Sequence, residues 1–315
     1  MTHIKSAYYF IVNPRAGSGK TMCEWIPAEH KLDKLGVPYI TALTDHKKHA
    51  TQLAYDAAEE GYRKIVAVGG DGSLHEAFAG ICKWCFKHEV PLSEFSLGVI
   101  PIGSGNDWIK SLKVPHDMDE VVDIIHKDSF QKMDVIKVRS SGGKMSYMAN
   151  IGGIGFDSHV CQRVNKQKES GRRGKLIYLQ SLLYSLTHAK SINVCVVCDG
   201  EVVYTGPCYS IAFGNGPYSG SGMRQVPLAK IDDGKVDYLI IPKVSILRIA
   251  REIPRLFNGT IHECSIVYTG RGRSVQVVPM DENSNDIIEV DGEIEGRLPI
   301  SADVTDEQIN VMKRL

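Results

Sequence analysis

The residues best equipped for chemistry are Gly69-Gly70-Asp71-Gly72, which follow the apolar run Lys64-Ile65-Val66-Ala67-Val68 and lead directly into Ser73-Leu74-His75-Glu76-Ala77-Phe78. Glycines at such a turn let backbone N–H groups approach a ligand closely, and the N-terminus of a following helix attracts anions. A phosphate suits both features. Asp71 does not, because a carboxylate beside phosphate repels it unless it holds a cation or handles a proton. The loop therefore predicts chemistry rather than packing. Two further loops are built from similar residues: Asn13-Pro14-Arg15-Ala16-Gly17-Ser18-Gly19-Lys20 and Pro101-Ile102-Gly103-Ser104-Gly105-Asn106-Asp107.

The elements that must position these loops alternate between strand and helix. Ala7 to Val12 reads as a strand, followed by a helix kinked by Pro27 and closed near Gly36. Val37 to Leu43 is a second strand, with Thr44-Asp45-His46 as its exit loop. A helix carrying Ala50, Leu53, Ala54, Ala57 and Ala58 ends at Gly61. The strand feeding Gly69 comes third, and Phe95 to Ile100 fourth. For the helix after Gly72, Ser73 is expected at the N-cap, with Glu76 completing a capping box. Leu74, Ala77, Phe78, Ile81 and Cys85 then form its buried face. Such alternation implies a doubly wound parallel sheet whose ligands gather at the carboxyl ends of the strands. The four loops at those ends predict a triphosphate nucleotide. A Walker A loop is excluded for Gly19-Lys20-Thr21, since the motif needs a glycine where Pro14 stands.

After Met133 the pattern changes to short alternating strands: Val135 to Arg139, a turn at Ser140-Ser141-Gly142-Gly143, and Met145 to Ile151 as a hairpin partner. Two helical signals interrupt them. Lys175 to Leu186 is strongly apolar and preceded by Lys166, Lys168, Arg172, Arg173 and Lys175. Ser245 to Phe257 sets Ile246, Ile249, Ile253 and Leu256 against Arg248, Arg251 and Arg255, with Pro254 near its end. Each could cover a sheet or lie on an anionic bilayer. The 315 residues suffice for two domains, and 37 basic against 37 acidic residues leave no global field for nucleic acid. No stretch is apolar enough for a membrane span or a signal peptide, so a cytosolic protein is expected. The eight cysteines are expected as free thiols. Cys195 and Cys198 fall on opposite faces of a strand, which suits no shared metal, and Cys82 with Cys85 reads as part of a helix.

Gly69-Gly70-Asp71-Gly72-Ser73-Leu74-His75-Glu76 resembles the GGDGT-x-N-E signature of the diacylglycerol kinase catalytic domain family, in the soluble bacterial lipid kinase branch related to sphingosine and ceramide kinases. Asn13-Pro14 with Gly17, and Pro101 to Asp107, are similar to its other nucleotide loops. Asn150 to Asp157, Gly214 to Tyr218 with Pro227, Asp232 to Asp237, and Asp291-Gly292-Glu293 follow in family order. Ser73 and Ser104 stand where threonine is usual, and His75 where asparagine is common, either near the phosphates or facing solvent from the helix. The resemblance implies an NAD-kinase-like α/β domain over 1–133, rejoined by a tail from about 300 to 315, and a β-sandwich lipid-substrate domain over 134–299. It implies transfer of the γ-phosphoryl group of ATP to a lipid hydroxyl, most simply diacylglycerol giving phosphatidic acid. Other lipids, NAD or a sugar, and an inactive nucleotide- or lipid-binding regulator remain as alternatives.

The resemblance also assigns residues. Asn13, Pro14, Arg15, Ala16, Gly17, Thr44, Gly70, Asp71, Gly72, Ser73, Leu74, His75, Glu76, Ser104, Asn106 and Asp107 would surround the nucleotide, with Asp71 and Asp107 toward Mg2+. Asp291 and Glu293 resemble the catalytic acidic pair, one of them the base, with Asp71 the next candidate. Read without the resemblance, Asp291-Gly292-Glu293 is a hairpin turn; if they lie on a strand, Asp291 and Glu293 share a face. A structural Mg2+ would be held by Asp233 and the carbonyls of Lys230 and Lys235; the same residues could equally form a metal-free β-turn. A peripheral contact with the inner membrane face and a homodimer are further implications.

Overall fold

The computed structural model describes residues 4–103, 105–169, 180–181, 184–185, 190–281, 284 and 286–315. Ser104, Arg172, Arg173, Lys175 and most of the predicted helix from Lys175 to Leu186 lie outside the described residues. The chain forms two compact units. One is Met1–Met133 with Asp306–Leu315, and the other is Asp134–Thr305.

In the first unit, β1 (Lys5–Val12), β2 (Tyr39–Leu43), β3 (Tyr62–Gly69) and β4 (Ser96–Pro101) are joined by parallel pairing in the order β2-β1-β3-β4. The end of the last strand, β17 (Ile300–Met312), adds in parallel beside β4 through Asn310 and Val311. Strands β1 and β3 are apolar and buried nearly throughout, as a sheet covered on both faces requires. The covering helices are α1 (Thr21–Lys34), α2 (His49–Glu59), α3 (Asp71–His88), α4 (Asp107–Ser111) and α5 (Met118–His126). Pro27 lies inside α1, and Gly36 and Gly61 take left-handed φ values of 68° and 94° just beyond α1 and α2.

The second unit is antiparallel. Its strands are β5 (Phe130–Arg139), β6 (Met145–Met148), β7 (Ile151–Gly155), β8 (Ile192–Cys198), β9 (Glu201–Gly214), β10 (Tyr218–Ser219), β11 (Met223–Arg224), β12 (Val236–Pro242), β13 (Tyr268–Gly272), β14 (Ser274–Pro279), β15 (Ile287–Val290) and β16 (Glu293–Arg297). The main path runs β16-β15-β7-β9-β8-β14-β17. The long β9 pairs with β8 through its first half and with β7 and β12 through its second. Successive side chains point to opposite faces, so Ile211 and Phe213 enter one core with Val194, Val196, Ile240 and Val277. Ala212 enters a second with Ile151, Val226 and Leu239. The predicted hairpin β5–β6 forms, yet β6 stops at Met148 and a new strand begins at Ile151.

The described residues of this unit include helices α6 (Phe156–Glu169), which the sequence reading missed, and α7 (Ile246–Asn258). Ser245 caps α7, its Oγ accepting from Arg248 N at 3.3 Å. The chain returns to the first unit at Asp306 rather than at about residue 300. Residues 300–303 of β17 still pair with β14, and pairing with β4 begins only near Asn310. All eight cysteines are free. Among the described residues no helix is long and apolar enough to cross a membrane.

Candidate nucleotide loops and acidic turn

Register brings the four predicted loops to one edge of the first unit's sheet. Val12 sits opposite Leu43 and Val68, Val68 opposite Ile100, and Gly69 opposite Pro101. The Asn13, Thr44, Gly70 and Gly103 loops therefore leave the sheet side by side. Asn13 ties two of them together: its Nδ2 donates to Ser73 Oγ at 3.0 Å, and its Oδ1 accepts from Arg15 N at 3.0 Å. Ala16 O accepts from Thr21 Oγ1, and between them Gly17, Ser18 and Gly19 all take left-handed φ values. A Cβ on Gly17 would stand 2.8 Å from Ile102, so this loop packs directly on its neighbour.

The glycines divide by what surrounds them. A Cβ on Gly69 would lie 2.5 Å from Ser73 Oγ, and one on Gly103 would lie 2.5 Å from Asn106 Oδ1 and 2.9 Å from Gly70 Cα. Those two are required by the fold itself. A Cβ on Gly72 would meet nothing within 4 Å, and one on Gly70 only ordinary contacts from 3.6 Å. The fold leaves space at these two, which is where a ligand can approach the backbone. Beside them, Asn106 is buried; its Nδ2 donates to Gly103 O at 3.1 Å, while its Oδ1 has no donor among the described residues. A buried acceptor without a donor is costly, and a hydroxyl, an amine or a hard cation would satisfy it. Nucleotide and Mg2+ thus fit the groups present.

Two expectations for α3 are corrected. The helix begins at Asp71 with Gly70 as its N-cap, so Ser73 lies inside the first turn and no capping box forms. Glu76 instead accepts from Lys48 N at 3.1 Å and Ala50 N at 3.3 Å, anchoring the start of α2. His75, which could have faced solvent, is buried. Leu74 is buried with it, while Arg15 is exposed and Pro14 and Ala16 half-buried. Thr44 is buried at the end of β2, its N–H donating to Val12 O.

Asp71 turns out to be an anchor as well. Its Oδ2 accepts from Asp107 N at 2.6 Å and its Oδ1 from Trp108 N at 3.1 Å, which fixes the start of α4. Burial pushes its carboxyl up to about 6, the Asp107 carboxylate adds to the rise, and the backbone N–H groups oppose it. Asp107 itself pairs with Lys110 at 2.9 Å. Beyond Thr44, the exposed Asp45 and His46 and the half-buried His49 place their ligand atoms within 4.8 Å of one another. The sequence reading saw only a loop there.

In the second unit, Asp291 and Glu293 do not share a strand face. Asp291 and Gly292 form the two-residue turn of the β15–β16 hairpin, with φ of 49° and 88°, and Val290 pairs with Glu293. Left-handed conformation at both positions is what an Asp-Gly turn accommodates. The Asp291 carboxylate accepts from three backbone amides: Ala149 N at 2.9 Å, Asn150 N at 3.0 Å and Ile151 N at 2.9 Å. That grip is what divides β6 from β7. Glu289, buried in the same hairpin, accepts from Gly292 N at 2.9 Å, and burial raises its carboxyl well above the usual range.

Asp157 is buried at the start of α6, held by the Ser210 hydroxyl and by Gln225 Nε2 at 2.7 Å; burial pushes it to about 6 against both bonds. With Ser210, Gln225 and Tyr209 it borders a cavity of about 600 Å3, open solvent included, whose remaining walls are apolar: Phe156, Ala212, Leu239, Ile249, Ile253 and Leu256 among them. At the D-D-G turn, Asp233 Oδ1 accepts from Lys235 N at 3.2 Å and Oδ2 lies 3.5 Å from Arg271. A guanidinium already answers that carboxylate, so Lys230, Asp233 and Lys235 fit the metal-free turn better than a Mg2+ site.

A parallel α/β unit with phosphate-type loops on its carboxyl edge, followed by an antiparallel unit with an acidic hairpin, defines a class of nucleotide-dependent kinases. Residues 7–138 match the diacylglycerol kinase catalytic domain, and residues 151–313 match the YegS C-terminal NAD kinase beta sandwich-like domain. The chain belongs to the diacylglycerol kinase catalytic domain family. A diacylglycerol kinase of Staphylococcus saprophyticus is 26% identical over 269 residues, 85% of this chain and 83% of that one. One from Mycobacterium tuberculosis is 24% identical over 268 residues, with the same coverage. A crystal structure of a diacylglycerol kinase from Bacillus anthracis shares the fold with a TM-score of 0.71 at 20% identity, covering 98% of this chain and 96% of that one. Yeast NADH kinase complexed with NADH is more distant, with a TM-score of 0.54 at 10% identity, covering 98% and 84%.

Proposed function

We propose that the protein transfers the γ-phosphoryl group of ATP to the free hydroxyl of diacylglycerol, giving phosphatidic acid and ADP. The observation that carries the lipid reading is the apolar cavity of the second unit. A sugar or a nicotinamide nucleotide needs a wall of hydrogen-bonding groups, whereas an acyl chain needs the wall found here. Of its polar members, Asp157, Ser210 and Gln225 are already tied together by hydrogen bonds to the Asp157 carboxylate.

In this reading the open faces of Gly70 and Gly72 admit the phosphates to the backbone, with Asn13, Gly17 and Ser73 shaping the loop around them. Asn106 Oδ1 accepts from the nucleotide or faces its cation. Mg2+, when bound with ATP near Asp71 and Asp107, spreads the negative charge of the phosphates. The lipid oxygen attacks the γ-phosphorus, the bond to the bridging oxygen breaks, and the hydroxyl proton passes to Asp291 or Glu293. Asp291 is held by three amides, which makes it the fixed member of the pair. No step is assigned to a metal at Asp233.

ADP release measured against diacylglycerol, sphingosine, phosphatidylglycerol, a polyprenol and NAD tests the reading. Diacylglycerol should be turned over fastest. Turnover of NAD with none of the lipids would replace the proposal by a dinucleotide kinase.

A further inference from the structure

The helix α7 is amphipathic in a way its own unit does not use up. Ile249, Ile253 and Leu256 face inward and line the apolar cavity, yet no residue of the helix is fully buried. Leu247, Ala250, Pro254 and Phe257, spaced i, i+3, i+7 and i+10, form a second apolar stripe that is exposed. Leu247 is 84% exposed and Phe257 48%. Along its edge stand Arg248 and Arg251, both exposed and, among the described residues, without an ion-pair partner. Arg255 differs, being paired with Glu252 at 2.8 Å.

We infer that α7 is the element that docks the protein on an anionic lipid surface, Leu247, Ala250, Pro254 and Phe257 entering the headgroup boundary while Arg248 and Arg251 meet lipid phosphates. A large apolar stripe edged by unpaired arginines is the pattern of a helix lying in a bilayer interface. The chain is neutral overall, so this local charge is what selects an anionic surface. A second copy of the chain is the poorer partner. A two-fold contact through this stripe would set Arg248 and Arg251 against their own equivalents. Docking would also place the outer face of one cavity wall in the membrane, with the inner face of the same helix lining the space for an acyl chain. The inference rests on the lipid kinase reading, since a water-insoluble substrate has to be met at an interface.

Sedimentation with vesicles of equal parts phosphatidylglycerol and phosphatidylcholine, against pure phosphatidylcholine, tests it. The parent should bind the anionic vesicles, and added salt should release it. Replacing both arginines (Arg248→Gln with Arg251→Gln) should weaken partitioning about 30-fold, from about 1 kcal/mol per basic residue at such a surface. Leu247→Ser with Phe257→Ser should weaken it by about tenfold or more. Both pairs should turn over a short-chain diacylglycerol dissolved as monomers at the parent rate. Leu247→Ser alone, at the most exposed position of the stripe, guards against a folding defect. Vesicle binding unchanged in both pairs, or absent in the parent, overturns the docking helix. So does a parent dimer in the absence of vesicles that Leu247→Ser with Phe257→Ser dissociates. A parent that binds vesicles yet phosphorylates no lipid in any form leaves the docking helix standing and refutes the kinase reading instead.

Discussion

Asp291→Asn separates anchoring from chemistry at the acidic turn. Asp291 Oδ1 accepts from Asn150 N and Ile151 N, and Oδ2 from Ala149 N, all within 3.0 Å. Asparagine keeps one oxygen in the same place and tolerates the left-handed φ of 49°. Its amide nitrogen must then face one of the N–H donors. One charge-assisted hydrogen bond is lost and a buried backbone donor is left unmet, at a cost of about 1.5–3 kcal/mol. For a unit of this size that lowers the unfolding midpoint by about 4–10 °C. Glu293→Gln, on β16 and outside this three-amide grip, should move the midpoint less than half as far. Both variants should keep nucleotide affinity, and at least one should lose about 10²–10⁴-fold in lipid turnover. Thermal unfolding followed by circular dichroism, beside calorimetric ATP titration and the ADP-release assay, reads all three. An Asp291→Asn midpoint within about 1 °C of the parent would refute the anchoring argument. Full turnover in both variants would remove the pair from the reaction and make Asp71 the next base to test.

The other expectations follow from the same geometry. Gly72→Ala should stabilise α3 by about 0.5–1 kcal/mol, since its Cβ meets nothing, while nucleotide affinity by calorimetry falls; undiminished affinity would place the phosphates elsewhere. Gly103→Ala should destabilise the fold, because its Cβ would press on Asn106 and Gly70; a parent-like melting curve would contradict this. Asp157 keeps its proton in the folded state to about pH 6, whereas an ordinary carboxyl near 3.8 releases it earlier. The folded state therefore binds more protons between about pH 4 and 6, and stability should fall as pH rises through that window, by at most about 3 kcal/mol from this group. Asp157→Asn should flatten the slope of the midpoint over that range, and an unaltered slope would assign it to other carboxyls. Ala212→Leu should fill part of the cavity and raise KM for long-chain diacylglycerol but not for ATP; unchanged KM would move the acyl chain out of it.

The first unit was legible wherever the signal is local. β1 to β4 are apolar runs ended by turn residues, and both helix-ending glycines take the left-handed values their positions suggested. What the sequence concealed is long-range. The spacing of Ser73 and Glu76 fits a capping box, but Gly70 takes the extended N-cap conformation and Glu76 finds its amides 26 and 28 residues away. The Asp-Gly turn at residues 291 and 292 is by contrast a local signal, and it overrode the strand alternation that would have put Asp291 and Glu293 on one face. Helix α6 carries Phe156, Val160 and Val164 at spacing four amid polar residues, a period too sparse to stand out beside the adjoining glycine-rich strand. The orphaned Asn106 Oδ1 and the open face of Gly72 are properties of assembled loops, and no spacing encodes them.

The acidic residues of the motifs show why a short signature can be read too directly as chemistry. Asp71 holds the start of α4, Glu76 holds the start of α2, and Asp291 holds the junction of β6 and β7. Each accepts from backbone amides that would otherwise stand unpaired at the beginning of an element. A carboxylate serves this purpose because it accepts several N–H groups at once and complements the positive end of a helix. In the proposed reading the loops that meet a polyanion are thus fixed by Asp71 and Glu76, whose carboxylates are taken up by amides rather than offered to the phosphates. This answers the objection that Asp71 should repel a nucleotide: its charge is spent on α4, and with its carboxyl near 6 part of it is protonated below neutral pH. Replacing Asp71 by asparagine would then harm nucleotide binding through a displaced Asn106–Asp107 loop even if Asp71 never touched magnesium.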